Sequence, residues 1–452
     1  MIDRFRILRA AAAFATLAVA LAVGLGGSSP AAPRAKPRAL AQPAELDSAT
    51  RARIDRLIAG AVADGTIPGA QLVVLGPPHA RTLVRRAYGA RTFEPQPVVN
   101  DFSTVYELAS LTKPVATASA IMLLVQRGEL RLHDKVAAYI PEFGANGKDG
   151  ITIEQVLLHT SGLPPAFSED DYYADRATIL THTYARKLLF APGTGFSYSN
   201  LGPIVLTELI ARVTHEPFER FITNELFLPL GMRDSSFDTT LDDGHRARLA
   251  PQIPHQDENG LRKAFGTVPG VNGHAGMFST GDDVARYARA LLLTLEGRRP
   301  PNAPLSAASL NAMIEPHYVG KGAVRGLGWD LDSGFSGNRG DLLPRGGFGH
   351  TGSSGTSLWI DPALGIAIVF TSNAHYPKDA GDTLPLEAKI ANEVATAVVH
   401  DRARIAAQEA AFDAAAARSA LGFPATPLPA PTVGPAGAPD AAVPSATPGT
   451  SK

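Results

Sequence analysis

Ser110-Leu111-Thr112-Lys113 sets a hydroxyl and an amine three residues apart. On a helix that spacing puts both side chains on one face, so the Lys113 amine can reach the Ser110 oxygen. A serine hydroxyl is a poor nucleophile until a neighbouring base takes its proton. A helix start here also favours negative charge at Ser110 and offers backbone N–H groups to an oxyanion. Taken alone, the four residues are better described as a serine cap followed by a surface lysine. Tyr198-Ser199-Asn200 adds a second group, in the loop that begins Pro192-Gly193-Thr194-Gly195-Phe196-Ser197. A phenol gives up its proton more readily beside a lysine, and an asparagine offers a donor and an acceptor to a substrate amide. The third group is His350-Thr351-Gly352-Ser353-Ser354-Gly355, just before an apolar run. There an extended substrate can pair with backbone, and the Ser353 N–H can join that of Ser110 in an oxyanion hole. Each group alone also fits an ordinary loop or turn; their order along one chain is what separates them from chance. His159-Thr160-Ser161-Gly162 looks similar to the third group, but between a helical run and Leu163-Pro164-Pro165 it reads as a structural loop.

Elements must bring these groups together. A helix is expected over Leu46 to Asp64. Strands are expected at Gly69 to Leu75 and Arg81 to Tyr88, around the turn Gly76-Pro77-Pro78-His79. Lys113 to Gln126 reads as a helix with Pro114 tolerated in its first turn. Ile151 to about Phe237 is helical in pattern, broken near 161–165 and 191–195. Thr280 and Asp283 resemble a capping box ahead of Val284 to Leu293. Strands return at Thr356 to Ile360 and Ile366 to Thr371, and a helical end follows at roughly 384–417. Strands at both ends with helices between predict a sheet built from the two ends and an inserted helical lobe. A cleft belongs where the lobes meet.

The chain has 452 residues, 45% of them hydrophobic, with a formal net charge of −1 and no cysteine. That is long enough for two lobes and globular in profile. The balanced charge argues against nucleic-acid binding. The lack of cysteine removes a thiol nucleophile, a thiolate metal site and a lipidated cysteine. No G-x-S-x-G, H-E-x-x-H or phosphate-loop ending occurs, so neither a metal nor an organic cofactor is implied. Arg4, Arg6 and Arg9 precede an apolar run from Ala10 to about Leu25, the layout of a secretory signal, with a retained membrane anchor as the alternative. Residues 28–45 and 423–452 are Pro/Ala-rich and read as linker and tail. His274, in the glycine-rich stretch 266–276, either lines the cleft or is a loop histidine. Trp329 and Trp359 read as core or cleft wall, and Asp282 and Asp283 as acids that complement a helix dipole.

S-x-x-K, Y-S-N and H-T-G in this order resemble the serine β-lactamase and penicillin-binding-protein family, in its class C β-lactamase-related branch with D-Ala-D-Ala carboxypeptidases and esterases. Further matching segments are Ile151-Thr152-Ile153-Glu154, His159 to Pro164, Pro192 to Asn200, Pro229-Leu230-Gly231-Met232 and Gly273 to Thr280. The resemblance implies an α/β (α+β) fold of β-lactamase/transpeptidase type: a mixed, mostly antiparallel sheet flanked by helices, plus an inserted helical lobe. A catalytic domain over 46–400 would divide into an α/β lobe (about 46–109 and 270–400) and a helical lobe (about 110–269), followed by a terminal helix at 401–422. It implies that Ser110 is acylated, that Lys113 and Tyr198 share the proton work, and that Asn200, His350, Thr351 and Gly352 bind substrate. The Ser110 and Ser353 amides would form the oxyanion hole. His350 stands where class C β-lactamases usually carry lysine, which weakens attraction for a substrate carboxylate. The expected activity is hydrolysis of an amide or ester through an acyl-enzyme, by an exported, periplasmic or extracellular protein. Its substrate would be a cell-wall D-Ala-D-Ala peptide or β-lactam, or else a small ester; a non-catalytic peptidoglycan binder is the alternative of another class.

Overall fold

A computed structural model describes residues 46–237, 240–252, 272–378 and 382–422. The chain divides into Met1–Gln42 and Pro43–Lys452, and every described residue belongs to the second unit. The predicted export signal, linker and C-terminal tail lie outside the described residues.

The frame is a nine-stranded sheet in the order β3-β2-β1-β12-β11-β10-β9-β8-β7. β1 (Gly69–Gly76), β2 (Arg81–Thr92) and β3 (Val98–Val99) come from the start of the chain. β7 (His317–Gly320), β8 (Ala323–Arg325), β9 (Asp330–Asp332), β10 (Phe348–Gly352), β11 (Thr356–Asp361) and β12 (Ile366–Ser372) come from its later part. The two sets join where β1 pairs with β12, Ala70 opposite Ser372 and Leu75 opposite Ala367. All pairings between these strands are antiparallel. Among the described residues a parallel component appears only as the isolated bridges Val105–Leu249 and Arg345–Gly347. A small second sheet joins β4 (Tyr106–Glu107), β5 (Ser236–Phe237) and β6 (Met277–Ser279).

Period-two alternation divides the central strands between two cores. Leu72, Val74, Trp359, Ile366, Ile368 and Phe370 face outward against the helices Ser48–Ala63 and Leu384–Val398. Val73, Leu75, Leu358, Ile360 and Val369 face the other way, into the core that holds the middle helices. The expected N-terminal helix is Ser48–Ala63, and the Asp47 side chain accepts the Thr50 N–H as its cap. Thr280 caps Gly281–Leu295 through the Asp283 N–H. Asp283 instead accepts hydrogen bonds from the Asp234 N–H and the Ser235 hydroxyl, while Asp282 pairs with Arg85.

Two helices differ from expectation. Lys113–Ala118 is wound as a π-helix and passes into an α-helix at Ser119–Arg127. Wider turns of this kind concentrate at functional sites, and apolar spacing does not reveal them. The helical end is two helices, Leu384–Val398 and Arg402–Leu421, because Asp401 starts a new one by accepting the Arg404 N–H.

Candidate active site

Ser110 lies in a 3-10 turn, Ala109–Leu111, directly before the helix that carries Lys113. Ala109 has φ +47°, a left-handed conformation that turns the chain sharply between β4 and this helix. The Lys113 Nζ donates to the Ser110 Oγ at 3.0 Å and to the His274 carbonyl at 2.9 Å. Ser110 and Lys113 are only 6% and 3% exposed. The loop that offers this carbonyl is fixed from several sides. Thr117 Oγ1 donates to the Gly273 carbonyl, the Gly276 N–H to the Glu107 carboxylate and the Met277 N–H to Thr112 Oγ1. Gly273 is needed there: a Cβ would lie 2.1 Å from Thr117 Oγ1. The ring of His274 packs edge-on against Phe167, and its carbonyl is what Lys113 meets.

Tyr198 reaches the same place from another direction. The Lys113 Nζ lies 4.8 Å from the centre of its ring. The loop that carries it is splinted along 159–165. The Gly193 N–H donates to the Thr160 carbonyl, Ser197 N–H to the His159 carbonyl, Asn200 N–H to the Pro165 carbonyl and Ser199 Oγ to the Pro164 carbonyl. His159 Nδ1 accepts the Ser199 N–H at 3.1 Å, and its ring lies 4.6 Å from that of Tyr198. Burial, then the charges of Arg325 and Lys113 and the neighbouring His350, hold the His159 pKa well below its ordinary value. The imidazole is therefore neutral and able to accept that N–H. The segment expected to be only a structural loop thus forms the wall behind Tyr198. The sequence separation of 40 between His159 and Ser199 hides this from any local reading. Phe335, also outside the expected site, stacks on Tyr198 with ring centres 5.1 Å apart. Asn200 directly precedes the helix Leu201–Thr214, yet its side chain does not cap it. Its buried Oδ1 has no hydrogen-bond partner among the described residues.

β10 supplies the third wall. His350 is buried and Thr351 half-buried; Gly352 ends the strand, and Ser353 begins the turn to β11. His350 Nδ1 donates to the Thr351 carbonyl at 2.7 Å, and its Nε2 lies 3.8 Å from the Asp330 carboxylate. Burial pushes the His350 pKa down to about 4 against the pull of Asp330, with the charges of Arg325 and Lys113 adding to the depression. A neutral imidazole here differs from the cation that a lysine would supply. Asp330 is paired with Arg325, and both are fully buried. Arg325 lies 5.9 Å from the centre of the Tyr198 ring and 5.4 Å from that of Phe196. No sequence motif pointed to this pair, whose members come from β8 and β9.

The structure therefore gathers Ser110, Lys113, Tyr198 and the β10 residues around one place, with Asn200 two residues beyond Tyr198 in the chain. A hydroxyl with a buried amine at hydrogen-bond distance and a phenol beyond it is suited to nucleophilic attack on a carbonyl. An open groove of about 520 Å³ between the Ser48–Ala63 helix and β2, lined by Arg51, Asp55, Arg85 and Arg86, has no such grouping. Among the described residues no set of three or more His, Asp or Glu could hold a metal ion. Trp329 and Trp359 are both buried in the core.

A family model described as beta-lactamase matches residues 54–392. An N-acetylmuramyl-L-alanine amidase of Bacillus subtilis (strain 168) is 30% identical over 381 residues, which covers 75% of this chain and 84% of that protein. An Escherichia coli O157:H7 protein named provisionally as a D-alanyl-D-alanine carboxypeptidase is 28% identical over 360 residues, covering 71% and 81% of the two chains. Among solved structures, a class C beta-lactamase shares the fold with a TM-score of 0.61 at 22% identity, over 76% of this chain and 96% of that one.

Proposed function

The chain belongs to the beta-lactamase family of serine hydrolases, and from that premise we propose that Ser110 is its nucleophile, acting on cell-wall peptides that end in D-Ala-D-Ala. The observation that carries this reading is the buried 3.0 Å hydrogen bond from Lys113 Nζ to Ser110 Oγ at the start of a helix. Lys113 and Tyr198 take the Ser110 proton between them as Oγ attacks the carbonyl carbon. The resulting oxyanion lies between the Ser110 and Ser353 N–H groups. The C–N bond then breaks, the leaving amine receives the proton, and an ester remains on Ser110. Water attacks that ester, and Ser110 regains its proton as the acid leaves. Asn200 holds the substrate amide, and the edge of β10 at Thr351 and Gly352 pairs with its backbone.

The named activities of the two curated relatives, an amidase and a D-alanyl-D-alanine carboxypeptidase, support a cell-wall peptide as substrate. The charged and apolar N-terminal segment supports export to where such peptides are found, and residues 46–400 supply the catalytic unit. A second reading, hydrolysis of small esters, is favoured by one observation. His350 is neutral where a lysine would attract a substrate carboxylate.

The two are separated by comparing D-alanine release from diacetyl-L-Lys-D-Ala-D-Ala with hydrolysis of p-nitrophenyl butyrate, alongside intact mass after exposure to a penicillin. D-Alanine release with one penicillin bound to wild type, and none to Ser110→Ala, is expected. Ester turnover alone would transfer the assignment to a carboxylesterase. Binding of peptidoglycan fragments without any acylation would point to a non-catalytic binder and defeat both readings.

A further inference from the structure

Two successive backbone carbonyls just ahead of Ser110 are held by side chains from a distant part of the chain. Ser354 Oγ donates to the Glu107 carbonyl at 2.7 Å, and Thr356 Oγ1 donates to the Leu108 carbonyl at 3.0 Å. Both hydroxyl residues are 0% exposed, and their oxygens lie 3.3 Å apart. Ser354 lies in the turn that joins β10 to β11 and Thr356 is the first residue of β11; in that turn the Gly355 N–H closes on the Gly352 carbonyl at 3.0 Å. On that turn, the Ser353 carbonyl meets His375 Nε2 at 2.7 Å. A carbonyl can only accept, so Nε2 carries the hydrogen. The approach of the turn to the Ser110 segment is close enough to require glycine. A Cβ on Gly352 would lie 2.3 Å from the Leu108 carbonyl oxygen.

These bonds act on the peptides next to the two whose N–H groups matter most to the reaction. The Leu108 carbonyl belongs to the peptide that enters Ala109, and the left-handed Ala109, at φ +47°, then aims the Ser110 N–H. The Ser353 N–H sits in the clamped turn itself. Left-handed alanine is unfavourable and persists only where surrounding bonds determine it. We propose that Ser354, Thr356 and His375 are positioning residues that set the separation and direction of the Ser110 and Ser353 amides. Ser354 and Thr356 tie the two segments together, and His375 keeps the turn from rotating. The inference rests on the catalytic reading given above. An oxyanion hole depends on donors held to within a fraction of an ångström of the developing charge, so loosening this clamp weakens transition-state binding and leaves ground-state binding intact.

The test uses Ser354→Ala, Thr356→Val and the conservative Thr356→Ser. Turnover is measured with p-nitrophenyl butyrate, and the affinity for phenylboronic acid, which places an oxygen where the oxyanion forms, by calorimetry. Each truncation is expected to lower kcat by about tenfold with KM within about twofold, and to weaken the boronic acid by the same factor as kcat/KM. Thr356→Ser is expected to stay near wild type. Cooperatively melting variants whose kcat and boronate affinity match wild type would overturn the clamp, as would a change in KM alone. Should the buried truncations not fold, His375→Phe, which keeps a ring but removes the donor at this half-exposed position, gives the same comparison. Failure of the underlying reading looks different: Ser110→Ala would keep wild-type turnover, or the wild type would show neither turnover nor boronate binding.

Discussion

The two faces of the large sheet are packed on different terms. The outer face meets the Ser48–Ala63 and Leu384–Val398 helices through Leu72, Val74, Ile366, Ile368 and Phe370 on the sheet and Ile54, Ile58, Ile390 and Val394 on the helices. The inner face is apolar too, through Val73, Leu358 and Val369. Close to it, however, are the buried polar groups Lys113, His159, Arg325, Asp330 and His350. Burying a charge is unfavourable unless it is paired or hydrogen-bonded. The outer face builds stability from apolar area; the site side gives some of that up to hold reactive groups in fixed positions.

The sharpest way to break this contrast is at Ser110. Ser110→Ala should remove essentially all hydrolysis and leave the melting temperature close to wild type. Lys113→Ala and Tyr198→Phe should each lower kcat by about 10²–10⁴-fold, the usual scale of acid–base assistance. Steady-state kinetics with a chromogenic ester, beside thermal melts, checks all three. On the outer face the pattern should reverse. Ile390 is fully buried, so Ile390→Ala should reduce unfolding free energy by about 2–5 kcal/mol. Its kcat, measured well below the melting point, should equal that of wild type.

How much of this contrast could be read from the chain depends on whether the signal is local. The apolar runs of β1, β11 and β12 are local, so these strands were legible, but they are buried on both faces, which leaves no alternation to separate outer from inner residues. Ser110 and Lys113 were legible because three residues of helix bring them together, and Tyr198 and Asn200 because their motif is contiguous. His159 was taken for part of a plain loop because its function is to support residues far along the chain. Arg325 and Asp330 carry no motif, and only the β8–β9 pairing makes them partners. Lys113 to Ala118 has ordinary helical spacing, and nothing in it marks a π-helix. The chain end reads both as one helical stretch over 384–417 and as a separate terminal helix at 401–422, and the Asp401 cap explains why the second is the closer description.

A smaller effect separates the faces by pH. His350 is held at about 4 in the fold, against 6.5 for an ordinary histidine, with Asp330, Arg325 and Lys113 as the charges acting on it. The unfolded chain therefore takes up this proton first as pH falls, and the stability present above pH 6.5 is lost on the way down towards 4. His159 acts in the same direction. Glu387, whose burial raises its pKa to about 7, acts in the opposite one: its contribution is present at low pH and fades as pH rises through 7. His350→Gln should therefore remove about 2 kcal/mol of the stability lost between pH 7 and pH 5. Denaturant titrations at the two pH values measure this. The smallest effect belongs to the surface. The Arg85–Asp282 pair is partly solvent-exposed, so Asp282→Asn should change stability by less than about 1 kcal/mol. It should leave kcat unchanged, and a shift in kcat would show that the division between the faces is not as clean as described.

The central claim is that Ser110 is a nucleophile activated by its buried surroundings. It is tested most directly by treating the folded protein with a fluorophosphonate, which reacts with activated serines, and mapping the adduct by peptide mass spectrometry. The account predicts one phosphonyl group, on the peptide that contains Ser110, strongly slowed in Lys113→Ala and missing in Ser110→Ala. Labelling at another serine, or equal labelling of wild type and Ser110→Ala, would contradict it.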